Sequence, residues 1–179
     1  DITVEKTSAI FGAPTTSEAS ACLHLNGHSL KNTGRYVFFG SKGILNVMGS
    51  GTVSGQATDK SIAGTVYTNA TYSAAQINLY SGTYKNTNDS YYTAGPVISI
   101  GNVGGNINIH EDVTLNRPGR QAIYVGELKN KGNANLGIYG AEITGNVTIK
   151  APVAYDASTG YGGKTSTTNL ENATIHGTV

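Results

Sequence analysis

The chain of 179 residues has 12 basic and 11 acidic side chains, a formal net charge of +1, and only 13% charged residues. Such a balance argues against the basic stripe of a nucleic-acid binder and the polybasic patch of a membrane-surface protein. No apolar run approaches the roughly 20 residues that cross a bilayer, and the single cysteine, Cys22, permits neither an internal disulfide nor a thiolate zinc cluster.

The 24 glycines, spread among frequent Val, Ile, Thr, Tyr and Asn, favour many short strands and turns over long helices. Residues 1–20 open on an alternating Ile2-Thr3-Val4 strand. A polar segment follows, in which Thr15 and Glu18 have capping-box spacing, so this region reads as an N-terminal cap or a loop. From Ala21 onward one pattern recurs: an apolar residue, one intervening residue, an apolar anchor, a Gly or polar break, and another apolar or aromatic residue. Its copies are Leu23-His24-Leu25-Asn26-Gly27-His28-Ser29-Leu30, Leu45-Asn46-Val47-Met48-Gly49 running to Val53, and Ile77-Asn78-Leu79-Tyr80-Ser81-Gly82-Thr83-Tyr84. Then come Ile107-Asn108-Ile109-His110 running to Val113, Leu136-Gly137-Ile138-Tyr139-Gly140-Ala141-Glu142-Ile143, and a degenerate Leu170-Glu171-Asn172-Ala173-Thr174-Ile175.

With Leu25, Val47, Leu79, Ile109, Ile138 and Leu170 as anchors, the spacings are 22, 32, 30, 29 and 32 residues. A second apolar strand precedes most anchors, at Tyr36–Phe39, Thr65–Tyr67, Val97–Ile100 and Ala122–Val125, with Val153-Ala154-Tyr155 as a weaker match for the last. A period in this range signals a solenoid, propeller or array. The units are too short for four-stranded propeller blades and lack the fixed leucines of leucine-rich repeats. The pattern predicts an all-β chain, a parallel β-helix of about six coils forming one domain over 1–179. Longer loops at 56–63, 87–94, 129–133 and 156–168 lengthen the turns outside the stack at modest entropic cost.

The phrasing Leu23-His24-Leu25-Asn26-Gly27-His28-Ser29-Leu30, followed by Leu45-Asn46-Val47-Met48-Gly49-Ser50-Gly51-Thr52-Val53-Ser54-Gly55, resembles right-handed parallel β-helix (pectate-lyase-like) surface proteins of Gram-positive gut bacteria. The resemblance covers roughly residues 20–145. It implies right-handed coils and a secreted or cell-surface location, and the opening on Asp1 fits a piece of a longer secreted protein. That fold carries lyases, glycosidases, tailspikes and noncatalytic adhesins alike, so activity has to be argued from a site.

Period-2 alternation turns the residues flanking each anchor outward. The preceding column reads His24, Asn46, Asn78, Asn108, Gly137, Asn169; the following one reads Asn26, Met48, Tyr80, His110, Tyr139, Glu171. One outer face is thus predicted to carry an asparagine column beside an aromatic stripe, with Asn78, Tyr80, Asn108, His110 and Tyr139 as the candidate ligand-binding residues. Aromatic faces stack on sugar rings and amides bond hydroxyls in both senses, which points to glycans or other cell-surface components as partners. Asparagine ladders and strand-favouring tyrosines also explain the pattern without any ligand.

Catalytic chemistry is harder to find. Glycoside hydrolysis needs two facing carboxylates, and only Glu111-Asp112 are adjacent, on residues that alternation sends to opposite faces. A calcium-and-arginine lyase site would have to combine them with Arg117 and Arg120. The four histidines, His24, His28, His110 and His176, lack a third ligand nearby, so no metal or cofactor is expected; Gly101-Asn102-Val103-Gly104-Gly105 reads as a turn rather than a nucleotide cradle. Cys22 reads as a plain strand residue, and the sequons at Asn69, Asn88, Asn146 and Asn172 matter only in a eukaryotic secretory setting. The leading expectation is a noncatalytic adhesion or glycan-binding module; a polysaccharide lyase or hydrolase and a structural spacer or filament subunit are the alternatives. Strands running up to Ile175-His176 without a charged terminator leave end-to-end self-association open.

Overall fold

The computed structural model describes the chain apart from residues 6–8, 10, 13–18, 41, 58–62, 70–74, 91–93 and 130–131, and gives the backbone alone at 11–12. The Thr15/Glu18 capping pair, Asp59 and parts of the loops at 56–63, 87–94 and 129–133 lie outside the described residues.

A partial coil supplies β1 (Ile2–Val4) and β2 (Phe11–Gly12). The first full coil comprises β3 (Ser20–His24), β4 (Ser29–Asn32) and β5 (Phe38–Gly40), and the second β6 (Ile44–Met48), β7 (Thr52–Gly55) and β8 (Val66–Thr68). In the third, β9 (Gln76–Asn86) turns a corner unbroken before β10 (Ile98–Ile100). The fourth is one continuous strand, β11 (Gly105–Val125), that runs along three faces. The fifth holds β12 (Ala134–Tyr139) and β13 (Glu142–Ile149), and β14 (Ser166–Glu171) with β15 (Thr174–His176) begin another. Every ladder between these strands is parallel. The chain is therefore a parallel β-solenoid of about five turns, with the sixth repeat incomplete.

Three ladders make three faces. The first stacks β3, β6, the start of β9, the start of β11, β12 and β14; the second stacks β1, β4, β7, the end of β9, the middle of β11, β13 and β15. The third runs through β2, β5, β8, β10, the end of β11 and the end of β13. Each ladder sends apolar columns into the interior: Leu45, Ile77, Ile107 and Leu136 beside Val47, Leu79, Ile109 and Ile138 from the first, Leu30, Val53, Tyr84, Leu115 and Ile143 from the second, and Phe38, Val66, Ile98, Ile123 and Val147 from the third, all buried. Each such side chain contributes about 1.5–3 kcal/mol relative to exposure, which is why apolar residues return at the same strand positions in every coil.

Two expectations need correction. The register pairs Val47 with Leu23, not with Leu25. Leu23 and Leu25 are both apolar and both on the inward side of a period-2 strand, so a two-residue slip leaves the alternation unchanged. Leu25 is instead a buried corner residue whose N–H donates to the Met48 carbonyl at 2.8 Å. The first spacing becomes 24, His24 pairs with Met48, and Cys22 pairs with Asn46. Second, Val153-Ala154-Tyr155 forms no strand; the third-ladder strand of the fifth coil is the end of β13, where Val147 pairs with Ile123. Residues 150–165 form no ladder strand, although the Lys150 and Val153 N–H groups donate to the Val125 and Leu128 carbonyls of the coil before, each at 3.0 Å. Asp156 closes a turn there by accepting from the Ser158 N–H at 2.9 Å and hydroxyl at 2.7 Å and from the Thr159 hydroxyl at 3.0 Å. Those bonds hold the Asp156 carboxyl below its ordinary pKa.

The corner between the second and third ladders is polar and buried. Asn86, 3% exposed, donates to the Gly95 and Pro96 carbonyls at 2.9 and 3.1 Å and accepts from the Asn88 N–H at 2.9 Å. Arg117 follows it one coil on and donates to the Asn86 and Asn88 carbonyls. Burial, then the nearby Arg120, lowers the Arg117 pKa, and Asp89 at 3.7 Å opposes the shift. Asn86→Ala would leave buried carbonyls without donors, so urea denaturation should register a loss of about 1–3 kcal/mol.

Candidate functional site

The first ladder presents the predicted stripe. Asn78 and Tyr80 flank inward Leu79, and one coil on Asn108 and His110 flank Ile109. Tyr80 and His110 stack with ring centroids 4.5 Å apart and planes within 15°, and Tyr139 continues the column at 5.6 Å from His110 with a 32° tilt. Parallel strands separated by about 4.8 Å set this spacing. Tyr80 is 39% exposed and the other two rings are half-buried, so the column is partly open to solvent.

The asparagine column is a hydrogen-bonded ladder. Asn78 donates to Asn46 at 2.8 Å and Asn108 donates to Asn78 at 2.9 Å, while Gln76 also donates to the Asn78 oxygen at 2.9 Å. Asn46 in turn points its amide at the Cys22 sulfur, 3.8 Å away. Asn78 is only 5% exposed. Its amide is committed to the stack, and its contribution is to fix the rows from which Tyr80 and His110 project. The break in the column at Gly137 has a steric cause. A Cβ there would sit 2.5 Å from the Tyr139 ring and 2.6 Å from its hydroxyl; the ring folds back over a position that only glycine leaves open.

Beside the stripe the chain turns from the first face to the second. Leu79 pairs with Ile109 but Ser81 pairs with Asp112, so the fourth coil contains one residue more than the third at this corner. The β-bulge cancels the alternation that sends neighbouring side chains to opposite faces. Glu111 and Asp112 are both exposed, and both line one hollow of about 440 Å³ with Tyr80, Ser81, His110 and Tyr139. A second hollow of about 430 Å³ shares Ser81 and Asp112 and continues past Ser50, Gly51, Thr83 and Thr114. Together they form a hydroxyl-rich channel with an aromatic wall. Ser81 is anchored on both sides, accepting from the Gly49 N–H at 2.7 Å on its hydroxyl and from the Tyr84 hydroxyl at 3.1 Å on its carbonyl. Burial raises the Tyr84 pKa well beyond the ordinary phenol value, so this donor keeps its proton.

Tyr80, His110 and Tyr139 thus lie at the hollow, while Asn78 and Asn108 lie in the ladder beside the aromatic column and outside the hollow's lining. Correcting the first coil puts His24 in the outer column next to Met48, in place of Asn26. The carboxylate pair is brought to the hollow, but the arginines go elsewhere. Arg117 is buried at the opposite end of the second face, and Arg120 donates to the Asp89 and Ser90 carbonyls. His28 lies 3.9 Å from Asp1 and His176 3.8 Å from Glu142, and among the described residues no three His, Cys, Asp or Glu side chains could hold a metal. No helix among them is long and apolar enough to cross a membrane.

Sequence reasoning overlooked a second aromatic cluster on the third face, where Tyr36, Phe39 and Tyr67 lie 5.4–5.7 Å apart and Arg35 sits 4.9 Å over Tyr36. Its signal was in plain view, since Phe39 and Tyr67 occupy the same outward place in successive coils. Tyr67 is buried, so these rings pack on one another and show little open face. Comparison of the chain with family models, with curated proteins and with solved structures found no match.

Proposed function

We propose that the chain is a noncatalytic glycan-binding module, acting in adhesion on a secreted or cell-surface protein of the pectate-lyase-like, right-handed kind, and that the channel beside Tyr80, His110 and Tyr139 holds the glycan. The observation that carries this reading is the aromatic column forming one wall of a hollow whose remaining lining is hydroxyl and carboxylate. Pyranose rings have apolar faces and polar rims, and a wall of rings with a polar floor meets both. The stacked coils make the surface rigid, so little ordering opposes binding. On a glycan array the unaltered protein should bind a restricted set of oligosaccharides. Tyr80→Ala and Tyr139→Ala should each weaken that binding at least tenfold, about 1.4 kcal/mol, with the melting temperature nearly unchanged for half-exposed side chains. Binding indifferent to both substitutions would remove this surface from consideration.

One observation favours a second reading, hydrolysis. The bulge brings Glu111 and Asp112 to the same hollow, as a pair of acid and base would require. Against it, both carboxylates are exposed, whereas a proton-donating carboxyl is ordinarily held in an apolar pocket. Reducing-sugar release from the array-positive glycans, abolished by Glu111→Gln, would establish the enzyme reading over the binding one.

A further inference from the structure

The lining of the channel has a sign. Glu111 and Asp112 contribute two carboxylates, and no lysine or arginine among the described residues lines either hollow; His110, stacked between two tyrosines, is the one group there able to become cationic. The protein's net charge is +1, so the acidity is local rather than general. Aromatic faces also attract cations through their quadrupole, and nearby carboxylates add a separate Coulomb attraction. Resting on the glycan reading above, we propose that the channel selects glycans bearing free amino groups, such as runs of de-N-acetylated hexosamine, over neutral glycans and over uronic-acid glycans.

The chemistry is additive in kind. The sugar ring lies on Tyr80 or Tyr139, the ring hydroxyls meet Ser81 and the hydroxyls beyond it, and an ammonium on the ring stands between the ring faces and the Glu111 and Asp112 carboxylates. An acidic sugar in the same place would bring a third carboxylate towards two others, with His110 as its sole partner. Because the groups are exposed, the charge preference is screened as ionic strength rises and the Debye length falls from about 10 Å at 0.1 M. The stacking and hydroxyl contacts are much less sensitive to salt.

Calorimetric titration with three hexamers tests this: glucosamine, N-acetylglucosamine and galacturonate. At low salt the glucosamine hexamer should bind at least tenfold more tightly than its acetylated form, with galacturonate weakest, and the gap should narrow in 0.5 M NaCl. Glu111→Gln/Asp112→Asn should erase the amine preference, bringing the glucosamine and N-acetylglucosamine hexamers to equal affinity. Tyr80→Ala should weaken both hexosamine oligomers. Equal affinity for the amine and acetylated hexamers, or a preference that survives the double substitution, would overturn the selectivity while leaving glycan binding in place. Amine binding unaffected by Tyr80→Ala would show adsorption of a polycation and also overturn it. Binding of none of the hexamers by a protein that binds other, neutral glycans on the array refutes the selectivity alone; an empty array refutes both.

Discussion

Ile109→Ala should destabilise the fold by about 2–5 kcal/mol, the range for truncating a large buried aliphatic side chain. Ile109 is fully buried and stands in one column with Leu79 and Ile138. A cavity there cannot be filled by collapse, because ladder hydrogen bonds fix the backbone on both sides. For a chain of this size the melting temperature should fall by roughly 4–20 °C. The same column supplies its own control. Leu170 pairs with Ile138 but is 52% exposed on β14, which pairs on one side only, so Leu170→Ala should cost less than about 1 kcal/mol. A solenoid is held together by nearest-neighbour contacts between coils, so the Ile109 variant should also broaden the calorimetric transition as the two ends begin to melt separately. Equal losses at Ile109 and Leu170 would mean that the coils do not stack in this register.

Gly105→Ala should be comparably damaging for a different reason. Gly105 begins β11 with φ at 134°, a region that side chains rarely occupy, and an added Cβ would run into the Thr68 hydroxyl and lie 2.6 Å from its methyl carbon. Thr68 is buried and cannot swing away, because its hydroxyl donates to the Gly40 carbonyl at 2.9 Å. Overpacking and backbone strain each cost about 1–3 kcal/mol, giving about 2–6 kcal/mol by denaturant unfolding. Shortening the neighbour should relieve part of it. In a double-mutant cycle Thr68→Ala and Gly105→Ala should couple by at least about 1 kcal/mol, whereas strict additivity would place the damage in the backbone alone.

What the sequence made legible follows from what each position has to satisfy. The interior of a stacked coil favours apolar side chains at most inward strand positions, so Val47, Leu79, Ile109 and Ile138 announce the period and the parallel solenoid. Where two inward positions in a row are both leucine, as at Leu23 and Leu25, nothing in the alternation chooses between them, and the first coil is read two residues out of register. The end of the fifth coil was obscured by Val153, an apolar residue in a loop, while Val147 does the packing.

The candidate site divides in the same way. Tyr80, His110 and Tyr139 were readable as a stripe because their anchors are unambiguous. The convergence of Glu111 and Asp112 was not, since a bulge changes corner length without disturbing the apolar pattern on either side. The asparagine column was visible, yet its use was not: whether Asn78 meets another amide or a ligand depends on bonds of 2.8–2.9 Å between coils.

The most direct test of a glycan on this surface is a crystal structure of the protein with the oligosaccharide that binds best on the array. A pyranose ring should lie against Tyr80 or Tyr139, with its hydroxyls reaching Ser81 or Asp112 and the neighbouring asparagine ladder undisturbed. A glycan seated on the third face against Tyr36 and Phe39, or anywhere away from the channel beside His110, would contradict the account.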